Sequence, residues 1–223
     1  MEKKEERIRS ITKLYYSNPK IQEYLIRFSR NREVIPRYFE GFGKRPDSLQ
    51  YISDIQGLVN KGATSFHASE EIWEDPLKIN SDMSPDEMNK IRNGWDLLVD
   101  IDSPYLDLSK LAAQLLIKAL EYHGVNNYGI KYSGSKGFHI IVSGGAFPEE
   151  YDGKKMSDMF PEWPRVITEY LFKWIEPTFM REAGKIMSFG DKDSIVRTYC
   201  LQCGRAAGKG LVTLYRCPVC NLT

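Results

Sequence analysis

Cysteine is almost absent from this chain: four in 223 residues, and none before position 200. That rules out a disulfide framework spread through the fold. Long apolar runs are missing too; nothing approaches the roughly 18 consecutive apolar residues of a membrane span. The N-terminus, MEKKEERIRSITK, is charged with no apolar stretch behind it, so it does not read as a secretory signal. A cytoplasmic location is expected, nucleoid-associated in a prokaryote. No internal repeat or low-complexity tract appears. Apolar and charged fractions, 42% and 27%, are ordinary for a globular protein. The length suits one large domain, or one domain with a small appendage.

The net charge of +1 hides an uneven distribution. Residues 1–50 carry a net +5, residues 51–180 a net −8 and residues 181–223 a net +4. An acidic centre between basic ends suits a metal site flanked by phosphate-binding surfaces. Within that centre lies WDLLVDID, residues 95–102. Strand alternation places Leu97, Val99 and Ile101 on one face and Asp96, Leu98, Asp100 and Asp102 on the other. Two carboxylates side by side at i and i+2 repel unless a cation sits between them. A hard divalent ion with oxygen ligands is the natural partner.

Around this strand the pattern predicts a mixed α/β (α+β) domain without regular βα alternation. Residues 2–30 read as helix interrupted by Pro19. Leu49, Tyr51 and Ile52 read as the start of a strand, 53–61 as a short helix capped by Ser53, and Ala63–His67 as a strand. Residues 69–94 read as a connection with one helix after Ser84. Leu108, Leu111, Ala112, Leu115, Leu116, Ala119 and Leu120 predict an amphipathic helix, with Asp107 as its cap and Gly124 as its end. Two strands, 128–132 and 138–142, flank the turn Ser133–Gly137. Residues 143–162 read as a loop, 163–182 as helix and 186–198 as an extended piece.

The turn Ser133-Gly134-Ser135-Lys136-Gly137, followed by Phe138-His139, gathers two hydroxyls, a lysine and a histidine around two glycines. Glycine lets backbone approach a ligand closely, and backbone N–H groups in such a turn can cradle an anion. Lys136 adds a point charge for phosphate, and His139 can donate to a phosphate oxygen. The spacing is not that of a Walker A loop, and a strand follows it instead of a helix. The carboxylate pair, the turn and the histidine together point to a nucleotide site.

D-x-D at a strand end, about thirty residues, then S-G-x-K-G-x-H entering a strand resembles the archaeo-eukaryotic primase superfamily. Asn31-Arg32-Glu33 is similar to the R-E-F segment of small primase subunits. Phe66-His67-Ala68-Ser69 to Pro76 is similar to the segment before their D-x-D strand. The resemblance spans roughly residues 10–143. It implies that Asp100 and Asp102 bind two Mg2+ or Mn2+ ions, and that Ser133, Ser135, Lys136 and His139 hold the triphosphate of an incoming NTP or dNTP. It implies that Arg32 contacts nucleotide or template. The expected activity is that of a DNA primase or primase-polymerase, with single-stranded DNA as template and a large subunit or a replication or repair protein as partner. An end-joining or gap-filling polymerase of the same superfamily, and a non-catalytic nucleotide- or nucleic-acid-binding module, are the alternatives. A zinc-stapled interaction domain is the plainest reading.

The chain departs from the family pattern in two ways. The family's third carboxylate lies on a later strand; the candidates here are Asp191 and Asp193, and Asp193-Ser-Ile-Val-Arg-Thr198 is the better match. The family's zinc knuckle usually follows the D-x-D strand closely, whereas here Cys200-x2-Cys203 and Cys217-x2-Cys220 come after all the other motifs. A division at 198/199 into a catalytic domain and a four-cysteine element is expected. The chain stops three residues after Cys220, as a piece of a longer protein or a minimal variant would.

Four cysteines at this spacing predict a closed tetrahedral zinc site with a structural role. Elemental analysis of purified protein should find stoichiometric zinc, and Cys217→Ser should remove it. Unchanged zinc in that variant would refute the four-thiolate site.

Overall fold

Pro19 splits what the hydrophobic period alone would join. Helix α1 (Glu2–Tyr16) stops, and α2 (Pro19–Ser29) starts afresh with proline in its first turn. The Asn18 side chain caps α2 by accepting from the Lys20 N–H at 3.0 Å. Asn31, at φ 60°, then turns the chain out of the helix. Asparagine tolerates this left-handed conformation better than most residues. The computed structural model describes residues 2–189, 198–199, 206–209 and 215–216.

Strand β1 (Val34–Arg37) pairs antiparallel with β2 (Ser65–Ala68), and α3 (Ile52–Asn60) lies between them in sequence. No strand forms at 49–52. The Asp54 carboxylate accepts from the Gln50 and Tyr51 N–H groups at 2.9 and 2.8 Å, so the helix begins at Ile52. Ser53 is therefore inside the helix and does not cap it. Ile55 and Val59 point inward and join Val34 and Leu49 in a small core.

Strands β3 (Glu71–Trp73) and β4 (Arg92–Trp95) form a second two-stranded sheet within the expected connection. Helix α4 (Pro85–Ile91) stands between them, with Ser84 and Glu87 in a reciprocal capping box. These strands carry little apolar alternation. The Arg92 guanidinium, sandwiched over Trp73 and Phe160 at 5.2 Å, donates to Glu71 and ties the two strands together.

The central sheet has the order β5 (Leu97–Asp102), β7 (Gly137–Val142), β6 (Gly129–Tyr132), with both pairs antiparallel. Helix α5 (Leu106–Tyr122) connects β5 to β6, and β7 is inserted between these two parallel strands. Tyr105 occupies the N-cap position of α5. Asp107 sits in the first turn, where its charge complements the helix dipole. Leu97, Val99, Ile101, Ile140 and Val142 cover one sheet face and pack on Ala112, Leu116 and Ala119 of α5. Gly124, at φ 82°, ends that helix region as expected.

The segment read as a loop holds a small hairpin, β8 (Glu150–Tyr151) with β9 (Lys154–Lys155). Helix α6 (Glu162–Phe189) outruns its expected end, so residues 186–189 are helical and not extended. It packs against α5, with Leu171 and Ile175 in the main core. A last antiparallel meander comprises β10 (Thr198–Tyr199), β11 (Ala206–Lys209) and β12 (Tyr215–Arg216). Its sheet starts at Thr198, one residue before the expected boundary.

The two cores are joined by Arg32 and Asp96. Arg32 Nη2 lies 2.5 Å from Asp96 Oδ2, and both side chains are more than nine-tenths buried. Arg32 also donates to the carbonyls of Phe28, Ser69 and Glu70. Asp96 Oδ1 accepts from the Gly144 N–H at 2.8 Å. Removing one partner strands the other as an uncompensated buried charge. Asp96→Ala should cost about 3–5 kcal/mol of stability, read from urea unfolding; a loss below about 1 kcal/mol, as for an exposed ion pair, would contradict this role.

Candidate functional site

The site grows from the face of the central sheet opposite α5. Antiparallel register sets Asp100 opposite His139, and His139 opposite Lys131. Directly opposed residues share a face, so these three side chains form one row across three strands. His139 Nε2 lies 3.4 Å from Asp100 Oδ1. The Asp100 carboxylate is 65% exposed and open to a ligand. Asp102 stands two residues further along the same face, opposite Gly137.

Gly137 explains how Asp102 fits. A Cβ there would fall 2.4 Å from the Ile101 carbonyl oxygen and 3.3 Å from Asp102 Oδ1. Only glycine lets the two strands close at this point. The turn is locked by two bonds between its ends: the Ser133 N–H donates to the Gly137 carbonyl at 2.9 Å, and the Gly137 N–H donates to Ser133 Oγ at 3.1 Å. Gly134, at φ 94°, supplies the left-handed bend. The Tyr132 hydroxyl donates to the Ser135 carbonyl. Ser135 and Lys136 are exposed at the tip, beside the end of β5 that carries Asp102.

The structure thus brings Asp100, Asp102, Ser133, Ser135, Lys136 and His139 to one end of one sheet face. Arg32 is held elsewhere, in the buried pair with Asp96. It lines a cavity of ≈ 690 Å3 together with Ile141 and Gly129 of the same sheet. Asp193 and the four cysteines, Cys200, Cys203, Cys217 and Cys220, lie outside the described residues. β10 and β12 flank β11 and run in the same direction, β10 against Ala206–Ala207 and β12 against Gly208–Lys209. Cys200 follows β10 and Cys217 follows β12 in the chain.

Three basic groups had no assigned role in the sequence reading: Lys131, His67 and Arg37. Lys131 was legible in principle, since a hairpin register around Ser133–Gly137 sets it opposite His139. His67 on β2 belongs to another sheet, and no local pattern links it to the site. Its pKa is lowered by burial and then by the charges of Lys131, Arg37 and His139. His67 thus feels the positive charge at the row. Ser65 Oγ lies 3.2 Å from its Nε2, and Phe42 packs edge-on against its ring. The lowered pKa favours the neutral ring in the fold, so its contribution to stability is complete above the ordinary histidine value near 6.5 and is lost as pH falls below it.

Among the described residues, no group of three or more His, Cys, Asp and Glu side chains is close enough to hold a metal ion. The donors that do stand together are two exposed carboxylates with an imidazole beside one of them. Oxygen donors of this kind fit a hard divalent cation that completes its shell from another segment, from water or from phosphate. No helix among the described residues is long and apolar enough to cross a membrane.

No family model matches the chain. An uncharacterized protein of Methanocaldococcus jannaschii is 26% identical over 142 residues, a match covering 63% of this chain. The chain spans only 30% of that relative's length.

The glycine constraint yields a direct test. Gly137→Ala should lower stability by about 1–3 kcal/mol through overpacking at the strand end. Urea unfolding reads the effect, and a neutral substitution would show that β5 and β7 do not close as described.

Proposed function

We propose that this chain is a nucleotidyltransferase domain of the primase-polymerase type, acting on single-stranded DNA with NTP or dNTP. The observation that carries the reading is the row Asp100–His139–Lys131, with Asp102 seated against Gly137 at the mouth of the SGSKG turn. Carboxylates and phosphate-binding groups occupy one exposed face. A hairpin turn with no ligand to serve has no need of two carboxylates beside it.

Asp100 and Asp102 would hold Mg2+ or Mn2+, with Asp193 as the candidate third carboxylate. Divalent ions, when bound, help activate a 3′-hydroxyl and offset the charge that develops in an in-line displacement at phosphorus. Lys136 and the turn would hold the outer phosphates. His139, beside Asp100, is positioned to donate to a phosphate oxygen while the carboxylate orients its ring. Lys131 extends the positive row, and Arg37 lends positive charge from β1. Fixed charges of this kind act without reorganising during the reaction. Zinc held by Cys200, Cys203, Cys217 and Cys220 would staple the C-terminal element, a reading that rests on the spacing of the two C-x2-C pairs.

Primer extension and unprimed synthesis on single-stranded DNA test the proposal. Wild type should incorporate nucleotide with Mn2+ or Mg2+, and Asp100→Ala/Asp102→Ala should lose at least about 100-fold. Nucleotide binding without incorporation by the wild type would favour a non-catalytic module. Unprimed synthesis, if present, separates a primase from a repair polymerase.

A further inference from the structure

We infer that the exposed face of α2, together with the cavity it leads into, is the track on which a single-stranded nucleic acid reaches the carboxylate face. This rests on the proposed function and assigns its template a surface. Helix α2 buries Gln22 and Ser29 and packs Leu25 and Ile26 on the small core. Its outer face carries Tyr24, Arg27 and Phe28. Tyr24 is 61% exposed and Phe28 44%. Two exposed aromatic rings one helical turn apart offer π-surface to a ligand.

Each ring is backed by a guanidinium. Arg27 Cζ lies 4.8 Å from the Tyr24 centroid, and Arg32 Cζ lies 4.6 Å from that of Phe28. An exposed ring with a guanidinium against it is a stacking platform with charge beside it. Lys20, Arg27 and Arg30 are exposed on or beside this helix, against the single acid Glu23. The occupant that matches both features is a polyanion whose units each present a flat π-surface. Along the helix axis the two rings are offset by about 6 Å, a step that neighbouring nucleotides of an unpaired strand can span.

The position of Phe28 gives the track a direction. Phe28 and Arg32 line the same cavity as Tyr128, Gly129, Ile141 and Ser143. Gly129 and Ile141 are paired across β6 and β7. They lie two residues from Lys131 and His139 on the same sheet face, about 7 Å along the strands. A base stacked on Phe28 is therefore a neighbour of the row that ends in Asp100. The Arg32–Asp96 pair fixes that neighbourhood by bonding the end of α2 to the start of β5.

Fluorescence anisotropy with a labelled oligo(dT) of about 20 nucleotides, in buffer free of magnesium, manganese and nucleoside triphosphate, reads the track alone. Tyr24→Ala and Phe28→Ala should each weaken binding on the order of tenfold. Tyr24→Phe and Phe28→Tyr, which keep the π-face, should retain wild-type affinity. Arg27→Ala should lower the slope of log affinity against log salt by about one. Tyr151→Ala, an exposed aromatic in the β8–β9 hairpin, should change nothing. A duplex of the same length should bind more weakly. Wild-type affinity in folded Tyr24→Ala and Phe28→Ala would overturn the track and leave α2 as a surface for another kind of partner. So would equal binding of single strand and duplex. The two readings fail separately: strand affinity without metal tests the track, and incorporation in Asp100→Ala/Asp102→Ala tests the carboxylate face.

Discussion

Asp96 has both carboxylate oxygens committed. Oδ2 takes the Arg32 guanidinium from the end of α2, and Oδ1 takes the Gly144 N–H from the turn after β7. One side chain thus ties together the N-terminal unit, the start of β5 and the exit of β7. A buried ion pair is a poor source of net stability, because desolvation offsets most of its attraction. What it supplies is position. Asp96, Asp100 and Asp102 fall on the same alternation of one strand, so fixing Asp96 fixes where the two exposed carboxylates stand relative to the small core and to β2.

Glycine sets the second constraint, at both ends of β7. A Cβ at Gly137 would meet the Ile101 carbonyl at 2.4 Å, and a Cβ at Gly144 would meet the Trp95 carbonyl at the same distance. Between these close approaches the register is held by burial. A slip of one residue would turn Val99 and Ile101 to solvent and Asp100 to the core. The Trp95 indole adds a clamp by donating to the Met156 carbonyl at 2.7 Å. The row from Asp100 to Lys131 therefore follows from packing on the opposite face.

Much of this was legible where period and burial agree. The alternation of Leu97, Val99 and Ile101, the stripe of α5, the break at Pro19 and the Ser133–Gly137 hairpin all read directly, since local pattern and tertiary packing ask for the same residues. The misses share a cause. β3 and β4 are held by Arg92, Glu71 and aromatic stacking, which leave no apolar alternation to read. The start of α3 is decided by Asp54 reaching back to two N–H groups, not by the serine at 53. Strand alternation alone sets Asp96 on the same face as Asp100 and Asp102. Its partner Arg32 lies 64 residues away, and only the tertiary fold distinguishes a structural carboxylate from an exposed one. Arg32 and Glu33, which help carry the family resemblance, both serve ion pairs here: Arg32 a buried one with Asp96, and the buried Glu33 one with the exposed Arg45. His67 reaches the site only because β1 and β2 stand near the central sheet.

The carboxylates and the basic groups of the site meet at this face, though not as separate patches. Asp100 and Asp102 are like charges on one strand. Lys131, His139, His67 and Arg37 converge from four others, and their mutual repulsion contributes to the lowered pKa of His67. Like charges side by side repel, and the Asp100–His139 contact stands where the two sets meet. A ligand of one sign would satisfy one set and leave the other. A triphosphate with its divalent cations carries both signs in a fixed arrangement: metal for the carboxylates, phosphate oxygens for the cations. Under the proposed function, a metal–nucleotide pair would match this face better than either component, and binding of one would favour binding of the other.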